Sequence, residues 1–176
     1  MAGVPTLRFR QQRTRQNNGY PLITGDGTLV YRACDNSSTP AVCGIYGADL
    51  SASLDSEADV SAVQIDEDSM AILSDAHAQR IAFTSQRDGN WEAYLMNSNG
   101  TGLKNLSNSA TSNDGLPTFS PDGKWVVFIS DRSGEWAVWG VAVDGDTPQK
   151  VFNLPKWTPW GTGKQAWITE RISWGP

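Results

Sequence analysis

Short runs of β-branched and aromatic residues, separated by polar turns that contain glycine, form the most regular part of the chain. The runs RIAFTS, which begins at Arg80, and WVVFIS, which begins at Trp125, are each followed by a polar turn and a second apolar run. Two apolar runs about a glycine-containing turn are typical of a β-hairpin. The pattern therefore predicts β-strands in this region. The best helix candidate, SEADVSAVQIDEDSMAILSDAHA, fits strands as well.

The two hairpins are copies of one unit at a fixed distance along the chain. Five residues of the first hairpin region recur 45 positions later in the second. The matching pairs are Phe83 and Phe128, Ser85 and Ser130, Gly89 and Gly134, Trp91 and Trp136, and Gly100 and Gly145. A repeat of about 40–50 residues is that of a four-stranded propeller blade. The repeat therefore predicts blades of four antiparallel strands stacked about an axis.

Each unit should open with a strand and a tight turn. Pro121-Asp122-Gly123 fits this turn, because proline presets φ and glycine accepts a positive φ. The unit before it has the degenerate sequence LSDAHAQR at the same place, and an earlier unit has Asp26-Gly27. A third, divergent blade is therefore predicted near residues 20–65, with Tyr46 in the place of Tyr94.

These patterns predict an all-β fold of about 3.5 to 4 propeller blades, each with four antiparallel strands. The predicted segments are an arm with a possible blade-closing strand at 1–19, a degenerate blade with a cysteine loop at 20–73, blades at 74–116 and 117–155, and a partial closing blade at 156–176. Typical propellers have about 4–8 blades. Two interpretations stay open: a small or incomplete propeller, or two chains that complete one ring as a homodimer and so cover exposed edge strands.

The segment SPDGKWVVFISDRSGEWAVWGVAVDG, from Ser120 to Gly145, resembles the TolB-type propeller repeat, a relative of the WD-repeat blade. IAFTSQRDGNWEAYLMNSNGTGLKNLS is similar to strands b to d of that repeat. The resemblance implies a rigid disc whose loops bind proteins, peptides or sugars, and a periplasmic lipoprotein in the case of TolB. The ending TERISWGP resembles the C-termini of propellers in large bacterial proteins, which implies a terminal or excised module.

The charge of the chain is uneven. The formal net charge is −5, but the first fifteen residues hold four arginines and no acid, so the rest of the chain carries −9. An acidic body argues against nucleic-acid binding, although the basic arm leaves contact with a nucleic acid or an anionic surface open. No apolar run approaches the ~20 residues of a membrane helix. The first residues lack the apolar core of a signal peptide.

Cys34 and Cys43 flank a loop of eight residues. On a hairpin this spacing would bring the two sulfur atoms together in a disulfide, which implies an oxidising, extracytoplasmic compartment. The alternative is two independent buried thiols. We predict the disulfide and, with it, a periplasmic or cell-surface location.

Residues for chemistry are scarce. His77 is the only histidine and lies in the degenerate turn region, where an exposed turn histidine is expected, and no nucleophile elbow accompanies it. Four acids approach the spacing of a calcium loop, but a valine stands where that loop needs glycine. These acids are Asp55, Glu57, Asp59 and Asp66. We therefore predict no catalytic residue, no metal and no cofactor.

The chain holds eight tryptophans, whose faces would suit stacking on sugar rings. Trp91 and Trp136 have equivalent blade positions, which predicts packing between blades. Trp157 and Trp160 flank Pro159 in a predicted loop, and they are the candidate ligand-binding residues. The sequence thus predicts a non-catalytic binding module for a protein or peptide. A lectin-like module and an accessory propeller of a larger bacterial enzyme or receptor are the alternatives.

Overall fold

A computed structural model describes residues 19–35, 39, 42–50, 62–155, 168 and 170–174. This part of the chain forms three antiparallel sheets of four strands, and the all-β propeller-blade prediction is confirmed. The candidates Trp157 and Trp160, the basic arm and the predicted closing strand near Leu7 lie outside the described residues. Within the described ranges, no helix has the length and apolar character needed to span a membrane.

The strands follow one another in chain order within each sheet. Blade 1 consists of β1 (Gly19–Ile23), β2 (Thr28–Asp35), β3 (Val42–Asp49) and β4 (Val63–Asp66). Blade 2 consists of β5 (Ile72–His77), β6 (Arg80–Ser85), β7 (Glu92–Asn97) and β8 (Lys104–Asn105). Blade 3 consists of β9 (Asp114–Phe119), β10 (Trp125–Ser130), β11 (Ala137–Ala142) and β12 (Gln149–Asn153). The first strands of neighbouring blades contact each other, so they line the axis.

The 45-residue repeat is a real structural period for the middle strands. β10 begins 45 residues after β6, and β11 begins 45 residues after β7. The inner strand β9 begins only 42 residues after β5, because the turn of blade 2 has two residues where that of blade 3 has five. Ala78 supplies the left-handed conformation of the shorter turn, with a φ of 51°. The missing Pro-Asp-Gly sequence is thus a shortened turn and not a lost strand.

The core consists of two apolar layers, one on each side of blade 2. Successive residues of a strand face opposite sides of a sheet. Ile81 and Phe83 therefore pack towards blade 1, whereas Ala82 packs towards blade 3. Burying each large side chain contributes about 1.5–3 kcal/mol. Because both layers need two blades, a single blade is not expected to fold by itself.

A third apolar cluster covers the face of blade 3 that points away from blade 2. Trp136 packs there, beside Leu116 and Ile129, and not between blades 2 and 3. Ile172 joins the same cluster, and its backbone carbonyl accepts a hydrogen bond of 2.7 Å from the hydroxyl of Thr118. The C-terminal residues that the structure describes therefore lie against the face on which a following blade would pack.

Cys34 and Cys43 form a disulfide, as predicted. The two residues are directly opposite each other on β2 and β3, with their Cα atoms 3.9 Å apart. The bridge closes the hairpin between these strands at the end that carries the cysteine loop.

Two arginines that sequence analysis overlooked tie the blades together at the end of the axis where β6 meets β7. The guanidinium of Arg87 forms ion pairs with Asp66 at 2.8 Å and with Asp68 at 3.1 Å. Asp66 ends β4 of blade 1, and Asp68 lies in the segment that leads to blade 2. Arg132 bonds the fully buried Asp114 at 2.8 Å and the carbonyl of Ser107 at 2.9 Å. Each arginine therefore clamps the segment that leads into the blade to which it belongs.

Both arginines also stack on an aromatic pair of their own blade. Arg87 lies 5.3 Å above the ring centroid of Phe83, and Arg132 lies 5.4 Å above that of Phe128. The arginines are 45 residues apart, in the repeated pattern Ser-x-Arg, so the period itself was the signal that would have found them. Asp66, one of the weak calcium candidates, is a partner of this structural clamp.

Candidate functional site

The turns between the first and second strands of the three blades meet at the other end of the axis. They line an open cavity of about 600 Å³. We call it the turn-face cavity; its lining includes Asp26, His77, Gln79, Arg80, Asn97 and Phe119. A volume of about 300–1,000 Å³ is usual for sites that bind small ligands. None of these residues was predicted as a site, because they are brought together only by the packing of blades.

Blade 1 contributes the carboxylate of Asp26 and holds it firmly. Asp26 accepts hydrogen bonds from the Thr24 hydroxyl, from the Thr28 amide at 3.3 Å and from the Ser98 hydroxyl of blade 2 at 3.0 Å. The bond from Thr24 holds the pKa of Asp26 below its ordinary value, with help from Ser98 and Thr28 and against the effect of desolvation. The cavity therefore contains a fixed negative charge at neutral pH.

Blade 2 contributes His77, which ends β5. The ring centroid of His77 lies 5.7 Å from that of Phe119, with the ring planes tilted by 39°. The histidine is half-buried at a strand end and is not the exposed turn residue that we expected, because the turn of blade 2 is so short. Among the described residues, none forms a hydrogen bond with its ring nitrogens. The ring therefore lines the cavity between Phe119 and Gly123, with both nitrogens free of hydrogen bonds to the described residues.

Hydrogen bonds between blades join the segments that line the cavity. The amide of Phe119 donates a hydrogen bond of 2.9 Å to the carboxylate of Asp75, so the inner strands of blades 2 and 3 are joined beside His77. The amide of Gly25 similarly bonds the carbonyl of Ala78, which joins the turns of blades 1 and 2. All three blades thus hold the cavity walls in place.

Arg80 is the cationic group of the cavity lining. Its guanidinium lies 3.6 Å from the carboxylate of Asp144, and the two side chains are 42% and 93% exposed. Exposed pairs of this kind contribute little stability, about 0–1 kcal/mol. Arg80 therefore differs from Asp26: it has a charged partner, although a weakly held one.

Three four-stranded meanders about a common axis define this protein as a β-propeller. Residues 53–163 match the model of the TolB beta propeller domain. The chain belongs to the TolB β-propeller family.

One protein is similar in sequence, and one solved structure is similar in fold. The uncharacterised protein Atu1656 of Agrobacterium fabrum is 35% identical over 65 residues, which are 37% of this chain and 22% of that protein. Among solved structures, a TolB from Agrobacterium tumefaciens is similar with a TM-score of 0.56 and 18% identity over 75% of this chain and 45% of its own.

Two enzymes share the fold. An oligogalacturonate lyase in complex with manganese has a TM-score of 0.57 and 14% identity over 78% of this chain and 42% of its own. A puromycin-hydrolysing peptidase of Mycobacterium tuberculosis has a TM-score of 0.51 and 13% identity over 80% of this chain and 25% of its own. At such identities the similarity shows the fold alone. The chain spans less than half the length of each of these relatives.

Proposed function

We propose that this chain is a non-catalytic propeller module that binds a protein or peptide partner through the turn-face cavity. The observation that carries the proposal is the placement of His77: its ring lines a cavity walled by three blades, and no described residue hydrogen-bonds to its nitrogens. A rigid cavity with unused donors and acceptors is suited to recognition, because little ordering is needed when a ligand binds. Membership of the TolB family, whose propellers bind proteins, supports the same role.

The surroundings of His77 favour binding over acyl-transfer chemistry. A histidine that activates a nucleophile lies within hydrogen-bond reach of it. Here the ring contacts Phe119 and the backbone of Gly123. Buried serines at the opposite end of the blades, such as Ser85 and Ser130, accept hydrogen bonds from Arg87 and Arg132 instead.

The disulfide supports a place of action outside the cytoplasm. Disulfides persist in oxidising compartments and are rare in reducing ones. The bridge between Cys34 and Cys43 therefore favours the periplasm or the cell surface as the place where the partner is met.

One feature of blade 1 supports the prediction of a larger ring, in which a further blade packs on its outer face; that a second copy supplies this blade stays a prediction. Cross-strand aromatic pairs recur in the blades, and those of blades 2 and 3 face the preceding blade: Phe83 with Tyr94, and Phe128 with Trp139. In blade 1 the equivalent pair is Tyr31 and Tyr46, with ring centroids 6.1 Å apart. Their strand neighbours Val30 and Ile45 pack against blade 2, so the tyrosines lie on the opposite face.

Site-specific photo-cross-linking tests the binding function. A benzophenone amino acid at Gln79, which is exposed at the rim of the cavity, should trap a partner in cells of the source organism. The same group at Ser133, in an exposed turn at the opposite end of blade 3, is the matched control. A partner trapped equally at both positions, or at Ser133 alone, would contradict a function located at the cavity.

Sugar binding by Trp157 and Trp160 stays a prediction. A glycan array checks it, and loss of binding in the variant with both Trp157→Ala and Trp160→Ala would favour the lectin-like alternative over peptide binding.

A further inference from the structure

We propose that the turn-face cavity binds a short, extended peptide segment with a lysine or arginine side chain, whose charged group lies beside Asp26 and whose backbone amides pair with His77. This inference rests on the proposed function and names the ligand class of that site. It draws on three properties of the cavity: its size, its charge and the chemistry of its unused groups.

The size of the cavity selects a segment and not a folded surface. Its volume of about 600 Å³ is that of a site for a small ligand or a few residues of chain. Its walls belong to the turns of three different blades, so the space is concave and set into the end of the axis. A short stretch of extended peptide enters such a space, whereas a flat protein surface does not.

The charge of the cavity selects a basic side chain. Asp26 is ionised, and its hydrogen-bond partners Thr24, Thr28 and Ser98 are all neutral. Among the described residues, no lysine or arginine forms an ion pair with it. Arg80, by contrast, already lies near Asp144. Asp26 is exposed at the cavity and has no ionic partner among the described residues, and a ligand cation would supply that partner.

The unused groups of the cavity select a peptide backbone. His77 in its neutral form has one N–H donor and one nitrogen acceptor, and a peptide backbone carries N–H donors and carbonyl acceptors along its length. Gln79, exposed at the rim of the cavity, adds an amide with the same pair of functions. A simple amine would satisfy Asp26 but would leave these amide-like groups without partners.

The single histidine makes this proposal directly measurable. The chain contains one histidine, so the imidazole signals in an NMR spectrum of labelled protein all belong to His77. Three capped tetrapeptides serve as probes: acetyl-Ala-Lys-Ala-Ala-amide and the same peptide with norleucine or glutamate in place of lysine. The lysine peptide should shift the His77 signals saturably. The norleucine peptide should bind about tenfold more weakly, because it lacks the charge-assisted contact, and the glutamate peptide should not bind.

A matched pair of variants then tests the role of Asp26. Asp26→Asn removes the charge and should abolish the preference for lysine over norleucine. Asp122→Asn changes the equivalent turn position of blade 3, where the Ser120 hydroxyl and the Lys124 amide bond the carboxylate in the same way. That variant should leave the preference intact. The comparison separates loss of the charge beside the cavity from damage to the turn.

Several outcomes would overturn the inference. Failure of the lysine peptide to shift the His77 signals at millimolar concentration contradicts the inference. Equal binding of the norleucine or glutamate peptide, or equal effects of the two variants, contradicts it as well. The peptide series on the unchanged protein decides the matter even where Asp26→Asn fails to fold. A partner trapped at Gln79 without any lysine-peptide response would leave the proposed function standing and sink only the ligand class.

Discussion

The imidazole of His77 lies in the space that a side chain at position 123 would need. A Cβ atom added at Gly123 would come within 2.2 Å of both Cδ2 and Nε2 of the histidine. Gly123 also has a φ of +68°, in the left-handed region that favours glycine. His77 belongs to blade 2 and Gly123 to the turn of blade 3, so this contact sets the distance between the two blades beside the cavity.

Gly123→Ala should destabilise the fold through two separate effects. The left-handed conformation costs about 1–2 kcal/mol for a residue with a side chain, and displacement of the histidine ring adds about 1–3 kcal/mol. Gly134→Ala is the control, because Gly134 has a φ of +82° but no atom within 4 Å of an added Cβ. Urea unfolding should show a clearly larger loss for Gly123→Ala. In a double-mutant cycle, His77→Ala should recover only the part due to the clash; equal losses in the two glycine variants would refute the contact.

Arg132→Met should cost far more stability than Arg80→Met. Asp114, the partner of Arg132, is fully buried, and removing the arginine leaves a buried carboxylate without a counterion, at a cost of about 3–5 kcal/mol. Arg80 and Asp144 form an exposed pair, for which about 0–1 kcal/mol is expected. Urea unfolding at neutral pH measures both losses. Similar values for the two variants would show that the buried pair of Arg132 and Asp114 does not stabilise the fold more than an exposed pair does.

The contribution of Asp26 to stability should depend on pH in one direction. The pKa of Asp26 is lower in the folded protein than the ordinary value of 3.8 for an aspartate, so the folded state favours the ionised form. The stabilisation is then fully present above pH 3.8 and is lost as the pH falls through the lower, folded pKa. The stability difference between the unchanged protein and Asp26→Asn should be constant near neutral pH and should shrink in acid. A difference that grows in acid would contradict the hydrogen bonds described for this carboxylate.

The disulfide should be complete in protein purified without reductant. Thiol titration of the denatured, unreduced chain should find no free sulfhydryl, because Cys34 and Cys43 are bonded to each other and are the only cysteines. Closing a loop of this length stabilises a fold by about 2–3 kcal/mol in the chain-entropy description. Replacing both cysteines with serine should lower the free energy of unfolding by that order. Two titratable thiols would also remove the support for an oxidising compartment.

Completion of the ring by a second copy makes a prediction about mass. Light scattering after size exclusion should give about twice the chain mass of 19.1 kDa. Tyr31→Glu, on the face of blade 1 that points away from blade 2, should shift the protein to the monomer mass. Asp131→Ala, in a turn of blade 3, is the control. Thr28→Glu is less suitable, because it would disturb the packing of blade 1 against blade 2. A monomer at every concentration would exclude the homodimer.

The sequence alone determined the features that are local to one blade. The period of 45 residues located β6, β7, β10 and β11, because strand alternation and glycine turns depend on residues that are close together in the chain. The cysteine spacing predicted the bridge for the same reason, since a hairpin brings its two ends together. The Ser-x-Arg pattern of Arg87 and Arg132 was visible in the repeat. Its role could not be predicted, because the carboxylates with which the two arginines form ion pairs lie outside the hairpin.

The tertiary structure alone decided where the blades touch and what lies between them. His77, Asp26 and Gly123 are far apart in the chain; the repeat places each near the first turn of its own blade, but only the packing of the blades brings them to one cavity. Trp136 packs on the outer cluster of blade 3 and not between blades 2 and 3, because the neighbours of a side chain depend on which face meets another blade. Contacts between blades follow from the packing of whole sheets, and that packing is not encoded in any short stretch of residues.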